Sequence, residues 1–326
     1  MVIILRDGEA DVTSKAPSAI AIGVFDGLHR GHQAVINQTI ALARRHGALT
    51  TVVTFDPAPA AVLAPARAPR LLATLEQRLE GLADLGVEQV RVLRFDRELA
   101  NESASHFVER VLVRDLRARG VVVGEDFHFG HDRLGTVATL RVAGAAAGFE
   151  VVAAPLFGDG ERFSSTAVRR ALADGDFELA TRVLGHPFSL RGEVVHGDQR
   201  GEALGFRTAN LNVAPEQALP KEGVYAGATH VSGRWWPAAI SVGRRPQFYS
   251  QGALLVEVHV LGFDGDLYNE RLDAIFLTRL RDQGTFDDAQ ALSDQIARDV
   301  AKTGRVFERF MEGDEELLGF DFGQRR

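Results

Sequence analysis

Apolar and polar positions follow two different periods along the first half of the chain. Short apolar runs alternate with longer segments in which apolar residues recur every three or four positions. The short runs predict buried strands, and the longer segments predict amphipathic helices. Residues 18–25 form the first strand-like run, and residues 32–47 form a helical segment that Gly47 closes. Strands that alternate with helices in this way predict a parallel sheet.

The same alternation continues through the first half of the chain. The further predicted strands cover residues 49–55, 89–95, 121–127 and 149–157, and the further predicted helices cover residues 72–86, 102–120, 136–147 and 165–185. Ligands of parallel sheets bind at the carboxyl ends of the strands. A binding site is therefore expected in the loops that follow these strands.

The pattern changes after Gly185. Short strand-like segments follow one another with turns that contain glycine or aspartate, and no helical segment separates them. They cover residues 188–198, 223–231, 235–243, 254–263 and 272–280, and a helical segment over residues 287–303 comes after them. This arrangement predicts an antiparallel β-barrel with a C-terminal helix. We expect two domains, residues 1–185 and residues 186–326.

The bulk composition excludes several classes of protein. The 326 residues carry a formal net charge of −7, which argues against broad nucleic-acid binding. The absence of cysteine excludes disulfides and thiolate nucleophiles. No apolar stretch approaches the length of a membrane helix, and the amino-terminal residues lack the pattern of a signal peptide. We expect a cytoplasmic protein that binds neither nucleic acid nor membrane; monomer and homo-oligomer both fit the sequence.

A motif that can carry chemistry directly follows the first predicted strand. Its residues are Gly23, Phe25, Asp26, Gly27, His29, Gly31 and His32. Glycines at a strand end let the backbone approach a bulky ligand, and the start of the next helix favours anions. Two imidazoles there can donate hydrogen bonds to a phosphate and stabilise its charge during transfer. The alternative is a surface loop with two incidental histidines; a structural zinc site would need further ligands, which do not follow at a suitable spacing.

A second polar motif opens the predicted helix over residues 165–185. Ser165 and Thr166 follow Ser164 there, and Arg169 comes one turn later. Hydroxyls at this place can cap the helix or bind phosphate oxygens, and arginine adds a fixed positive charge. Taken alone, these hydroxyls are better explained as an ordinary helix cap; together with the first motif, at this separation, they favour phosphate binding.

A third stretch lies at the end of the strand over residues 121–127. Asp126, Phe127 and Phe129 could shape a pocket for a planar ring, with the two phenylalanines as its walls. Packing of one phenylalanine in the core is an equally consistent interpretation.

The second half of the chain carries its own polar residues. Thr208 and Asn210 follow a glycine-rich loop that contains Gly205, and their oxygens suit Mg²⁺ and phosphate. Glu257 lies among apolar residues at strand spacing. A carboxylate that points into a barrel is costly unless it is paired or catalytic, which suits a general base. The alternatives are a hairpin with polar turn residues and an outward, solvated Glu257.

Nearly the whole chain resembles the prokaryotic bifunctional riboflavin kinase/FMN adenylyltransferase family, also called FAD synthetases. The matching stretches keep that family's order: GVFDGLHRGH, LLATLEQRLEGLADLGV, VVGEDFHFG, SSTAVRRAL, GFRTANL, GVYAG, VGRRPQF and FDGDLYNERL. The resemblance implies an α/β architecture in two parts. Residues 1–185 would be a Rossmann-like nucleotidyltransferase domain with a parallel sheet, and residues 186–326 a riboflavin kinase barrel with a C-terminal helix.

The resemblance also implies a role for each motif. In the kinase, Glu257 would be the base that activates the ribityl hydroxyl of riboflavin, while Thr208 and Asn210 hold Mg²⁺ and the phosphates of ATP. In the adenylyltransferase, His29 and His32 would stabilise the attacked α-phosphoryl group as FMN becomes FAD. The departing pyrophosphate would be bound by Ser165, Thr166 and Arg169. Flavins and nucleotides are thus the implied partners.

This chain departs from the family pattern at several positions. Ala58 stands where that family usually has histidine, and Arg207 where it usually has proline. Glu202, Ser241 and Gln247 also differ from the usual residues, so most departures lie in the kinase half. Two alternatives to the bifunctional enzyme follow: a paralogue with one working half, acting on a flavin analogue or with another nucleotide such as CTP, and a non-catalytic flavin-binding regulator.

Overall fold

The computed structural model describes residues 2–8, 12–159, 162–196, 206–244 and 254–313. The chain forms two compact units. The first contains Met1–Arg70 and Thr74–Phe163, and the second contains Leu71–Ala73 and Ser164–Arg326. The predictions for Glu202, Gly205 and Gln247 lie outside the described residues.

A parallel sheet forms the centre of the first unit. The strands of this unit are β1 (Ile3–Arg6), β2 (Ser18–Ile22), β3 (Leu49–Asp56), β4 (Gln89–Arg94), β5 (Ala118–Gly124), β6 (His128–Phe129), β7 (Gly135–Thr136) and β8 (Glu150–Ala154). The parallel sheet has the order β1-β4-β3-β2-β5-β8, and β6 and β7 form a short antiparallel pair. This confirms the predicted parallel sheet, to which β1 adds an edge strand that was not predicted.

Helices connect these strands. They are α1 (Arg30–His46), α2 (Pro59–Leu63), α3 (Leu75–Asp84), α4 (Arg97–Ala100), α5 (Ala104–Phe107), which continues as a π-helical segment over Val108–Asp115, and α6 (Val137–Ala147). Single 3-10 turns lie at Asp26–Leu28, Pro65–Arg67 and His131–Arg133. The prediction of one helix over residues 102–120 is wrong at its C-terminal end, because Ala118 already pairs with Ser18 of β2.

Apolar clusters cover both faces of the parallel sheet. Along β2, Ile20 and Ile22 pack into one cluster and Ala21 into another. Successive strand residues point to opposite faces, so both faces of this central strand are covered by side chains from the helices. All five residues of β2 are buried, which fixes the position from which the next loop starts.

A closed antiparallel barrel forms the centre of the second unit. Its described strands are β9 (Phe188–Val195), β10 (Ala209–Val213), β11 (Gly223–Val231), β12 (Arg234–Arg244), β13 (Leu254–Val260) and β14 (Arg271–Arg281), closed in the order β10-β13-β12-β11-β14-β9. The helices of this unit are α7 (Ser165–Asp174), α8 (Phe177–Leu184) and α9 (Ala289–Glu312). The predicted barrel and C-terminal helix are confirmed; β10 was not predicted.

The single helix predicted over residues 165–185 is in fact two helices. Gly175 takes a left-handed conformation with a φ of 79°, which ends α7, and Asp176 caps α8. The ring of Phe177 then packs against Tyr225 and Phe276 of the barrel, with centroids 5.0 and 5.6 Å apart. Both helices therefore belong to the second compact unit, whereas the predicted domain boundary at residue 185 stays a prediction.

Candidate active sites

The loop after β2 brings two imidazoles together at the start of α1. Phe25 and Gly27 have φ angles of 55° and 77°, so the chain turns sharply before His29. The backbone N–H of His32 donates a hydrogen bond to Nδ1 of His29 at 3.3 Å, which caps the helix. The rings of His29 and His32 stack with centroids 3.6 Å apart.

Packing keeps the imidazole of His32 from taking up the second proton that would make it a cation. The edge of Phe25 lies against His32 at 5.1 Å between ring centroids, and His29 is buried. Loss of hydration and then the nearby charge of His29 hold the pKa of His32 well below its ordinary value of 6.5. His32 is therefore neutral at pH 7 and has one N–H donor to offer.

The backbone at Gly31 lies close to these rings. A Cβ atom on Gly31 would approach ring atoms of His29 at 3.1 Å and the carbonyl oxygen of Phe163 at 3.3 Å. That is closer than ordinary van der Waals contact, so a side chain at this position would displace the imidazole.

The residues predicted to bind a planar ring lie partly in the core and partly at the surface. Phe129 is only 9% exposed and lies in the apolar core beside Phe107, which agrees with the alternative of core packing by one phenylalanine. Phe127 is partly buried and stacks on Phe129, with centroids 5.5 Å apart. Asp126 instead forms an exposed ion pair with Arg162 at 2.7 Å.

Ser164 caps α7, so the cap does not use the two hydroxyls that follow it. The Ser164 side chain accepts a hydrogen bond from the N–H of Ala167 at 3.2 Å. Ser165 and Thr166 occupy the first turn of the helix, and Arg169 lies one turn further on and is partly buried. These residues belong to the second compact unit, whereas the imidazole pair belongs to the first.

Three barrel strands place polar residues side by side. In the register of β10 and β13, Asn210 lies directly opposite Glu257, and Glu257 also lies opposite Ser241 of β12. Asn210 is 8% exposed, and its Oδ1 is buried without a hydrogen-bond partner among the described residues. The Ser241 hydroxyl accepts a hydrogen bond from Gln283 at 3.0 Å.

The expectation that Glu257 points into the barrel is wrong. Its neighbours Val256 and Val258 are buried, whereas Glu257 is partly exposed. Because successive strand residues face opposite sides, the valines fill the interior and Glu257 lies on the other face. There it shares a surface with Asn210, which avoids the cost of a charge inside the barrel.

A cavity of about 330 Å³ adjoins Thr208. Its walls include Arg207, the apolar Phe263, and Tyr268, which stacks on His196 with centroids 3.8 Å apart. The carbonyl oxygen of Arg207 lies 2.6 Å from a ring nitrogen of His259 and is held there. Phe263 and Tyr268 are not among the predicted site residues, although both lie in the motif FDGDLYNERL.

Two family models match the chain. One is described as FAD synthetase and matches residues 11–167, and the other is described as riboflavin kinase and matches residues 184–307. The bifunctional riboflavin kinase/FMN adenylyltransferase of Pseudomonas fluorescens is 42% identical over 281 residues, which are 86% of this chain and 90% of the relative. The chain belongs to the bifunctional riboflavin kinase/FMN adenylyltransferase family. The member of this family from Escherichia coli K12 is 38% identical over 299 residues, or 90% of this chain and 95% of the relative.

A solved structure matches nearly the whole chain. A crystal structure described as a macrolide-efflux protein from Streptococcus pneumoniae has a TM-score of 0.83 at 30% identity, and the match covers 93% of this chain and 99% of that one. Among the helices in the described part of the chain, none is long and apolar enough to cross a bilayer. The imidazole pair lies within the FAD synthetase match, and Asn210 and Glu257 lie within the riboflavin kinase match.

Proposed function

We propose that this chain catalyses two successive reactions of flavin cofactor synthesis. In the first, the ribityl 5′-hydroxyl of riboflavin attacks the γ-phosphorus of ATP, giving FMN and ADP. In the second, a phosphate oxygen of FMN attacks the α-phosphorus of a second ATP, giving FAD and pyrophosphate. Relatives whose matches cover at least 86% of the chain are named for these two activities, which supports the assignment.

The stacked imidazole pair is the observation that carries the proposal. Negative charge shifts among the phosphoryl oxygens during adenylyl transfer, and donors fixed in advance stabilise that charge. His29 and His32 are held by a hydrogen bond and by ring stacking at the start of α1, so they need little rearrangement. A neutral His32 donates through its N–H, and the α-phosphoryl oxygens accept.

Binding of the departing pyrophosphate is assigned to the start of α7. Ser165 and Thr166 provide hydroxyl donors, and Arg169 provides a positive charge that does not depend on pH. The place of Ser165 and Thr166 in the first turn of α7, directly after the capping residue Ser164, supports this assignment. For the flavin, Asp126 and the exposed part of Phe127 are the proposed contacts, with Phe129 supporting Phe127 from the core.

In the kinase reaction, Glu257 takes the proton of the ribityl hydroxyl as that oxygen attacks. Its place on the partly exposed face of β13, opposite Asn210, makes it accessible to a substrate. The cavity beside Thr208 is large enough for an aromatic base, which would place the phosphates of ATP near Thr208 and Asn210.

The residues beside Glu257 also fit a magnesium ion. Mg²⁺ prefers oxygen ligands and keeps several waters, so it needs few protein ligands once phosphates are present. The buried Oδ1 of Asn210 has no hydrogen-bond partner among the described residues, and the Thr208 hydroxyl is close in sequence. These two oxygens are the proposed protein ligands of Mg²⁺, which when bound would neutralise charge on the phosphates.

Product analysis tests the proposal directly. Purified protein is incubated with Mg²⁺ and ATP, together with either riboflavin or FMN, and the flavins are separated by chromatography over time. We expect FMN and then FAD from riboflavin. FAD only from supplied FMN would show a single working half, with CTP and flavin analogues as the next substrates. Flavin binding without turnover would instead show a regulator and overturn the proposal.

A further inference from the structure

Arg78 of α3 is a buried arginine that reaches the loop of the imidazole pair. It is 1% exposed, and its Nη1 donates hydrogen bonds to the carbonyl oxygen of Val24 at 2.9 Å and to the Thr54 hydroxyl at 3.1 Å. A longer bond of 3.4 Å reaches the carbonyl oxygen of Phe55. The Thr54 hydroxyl itself donates to the Val24 carbonyl at 3.1 Å. One guanidinium thus joins α3, the end of β3 and the loop that leads to His29.

The surrounding charges explain why a cation is buried at this place. Burial lowers the pKa of the Arg78 guanidinium, and the carboxylates of Asp26, Asp56 and Glu76 act in the opposite direction. Asp26 belongs to the loop of the imidazole pair and is only 4% exposed. A buried carboxylate in a loop that binds phosphate would repel the ligand, and a guanidinium on the protein side offsets that charge.

Residues other than Arg78 cap helix α3 and pack it against the sheet. Its start is fixed by a capping box, in which Thr74 and Gln77 exchange hydrogen bonds of 3.0 and 3.2 Å. The apolar side chains of Leu75, Leu79 and Leu82 hold it against the sheet. The hydrogen bonds of the Arg78 side chain go to the loop and to the end of β3 rather than to its own helix.

We propose that Arg78 is a positioning residue for adenylyl transfer. Its hydrogen bond fixes the Val24 carbonyl and thereby the loop that carries His29 and His32. Its positive charge offsets the negative charge of Asp26 where the triphosphate binds. This inference rests on the proposed adenylyltransferase function. Arg78 makes two separable contributions: its hydrogen bonds position the loop, and its charge offsets that of Asp26. Loss of the hydrogen bonds lowers kcat, and loss of the positive charge raises the KM for ATP.

The first unit offers a matched control. Arg91 of β4 is also 1% exposed, and it donates to the carbonyl oxygens of Leu5 and Val92 and pairs with Asp7. It has the same side chain and the same burial, but its contacts do not include the loop of the imidazole pair. Comparing Arg78→Met with Arg91→Met therefore separates loss of a buried arginine from loss of the loop contact.

The experiment measures steady-state FAD formation from FMN over a range of ATP concentrations, using the full chain. Melting temperature and FMN formation from riboflavin are measured on the same samples. We expect Arg78→Met to lower kcat/KM for ATP by roughly 10- to 100-fold, the cost of a small misplacement of reacting groups. Arg78→Lys keeps the charge but cannot reach all three acceptors, so kcat falls while the KM for ATP stays near the wild-type value. Arg91→Met lowers the melting temperature but leaves both constants close to wild type.

The outcomes that contradict the inference are distinct from those that contradict the proposed function. Equal kinetic constants in Arg78→Met and Arg91→Met would overturn the proposed role of Arg78 and leave the proposed function intact. If Arg78→Met does not fold, Arg78→Lys decides, and unchanged kcat and KM in that variant would overturn it. A wild-type protein that forms no FAD would overturn the proposed function and, with it, this inference.

Discussion

Replacing His32 with alanine should separate the two reactions. The change keeps the backbone N–H that bonds to Nδ1 of His29, so the start of α1 is retained. It removes a ring stacked on His29 at 3.6 Å, and with that ring the donor that we assign to the phosphoryl group. Loss of one such donor costs about 10² to 10³ in kcat, or about 3 to 4 kcal/mol. We expect FAD formation from FMN to fall by this factor and FMN formation from riboflavin to stay unchanged.

The assay follows both products by chromatography in a single incubation. His46→Ala is the matched control, because His46 lies on the same helix and its side chain forms an exposed ion pair with Glu150 at 3.1 Å. Such pairs contribute about 0 to 1 kcal/mol, so both reactions should continue in this variant. Equal loss of the two activities in a well-folded His32→Ala protein would refute the reasoning, as would undiminished FAD formation.

Three further predictions follow from the remaining site residues. Glu257→Gln should lower FMN formation by about 10² to 10⁴, the range for a lost general base, and spare FAD formation from FMN; an unchanged rate would show that Glu257 is not the base. Arg207→Ala should change FMN formation by no more than about threefold, since truncation of an exposed side chain shifts free energies by about 0.5 kcal/mol; a much larger rise in the KM for ATP would show that the guanidinium binds the nucleotide. The pKa of His32 is lowered by folding, so its contribution to stability is present above the ordinary value of 6.5 and is lost as the pH falls below it. The melting temperature of wild type should therefore fall more steeply than that of His32→Leu between pH 7.5 and pH 5.5, and parallel curves would contradict this.

The sequence predicted the sheet and the barrel because their patterns are local. Apolar runs and helical spacing suffice to place β2, α1 and the barrel strands. The end of the helix predicted over residues 102–120 was missed because it depends on pairing between Ala118 and Ser18, which are far apart in sequence. The short strand β10 was missed for a similar reason: it exists because β9 and β13 pair with it on either side.

The candidate sites were predictable as residue types but not as geometry. His29 and His32 stand out in the sequence, yet their stacking depends on the left-handed turn at Phe25 and Gly27. Arg78 was missed, although a signal was present: it lies at the helical spacing of Leu75, Leu79 and Leu82, on the buried face of α3. A charged residue on an apolar helical stripe indicates a buried contact, and only the fold shows which one.

The central claim is that one chain carries two reactions at separate sites, and a mixing experiment tests it most directly. Riboflavin, ATP and Mg²⁺ are incubated with His32→Ala alone, with Glu257→Gln alone, and with both variants together. The account predicts FMN without appreciable FAD from the first, little product from the second, and FAD at a near wild-type rate from the mixture, because FMN made by one variant is used by the other. Absence of FAD from the mixture, or rapid FAD formation by either variant alone, would contradict it.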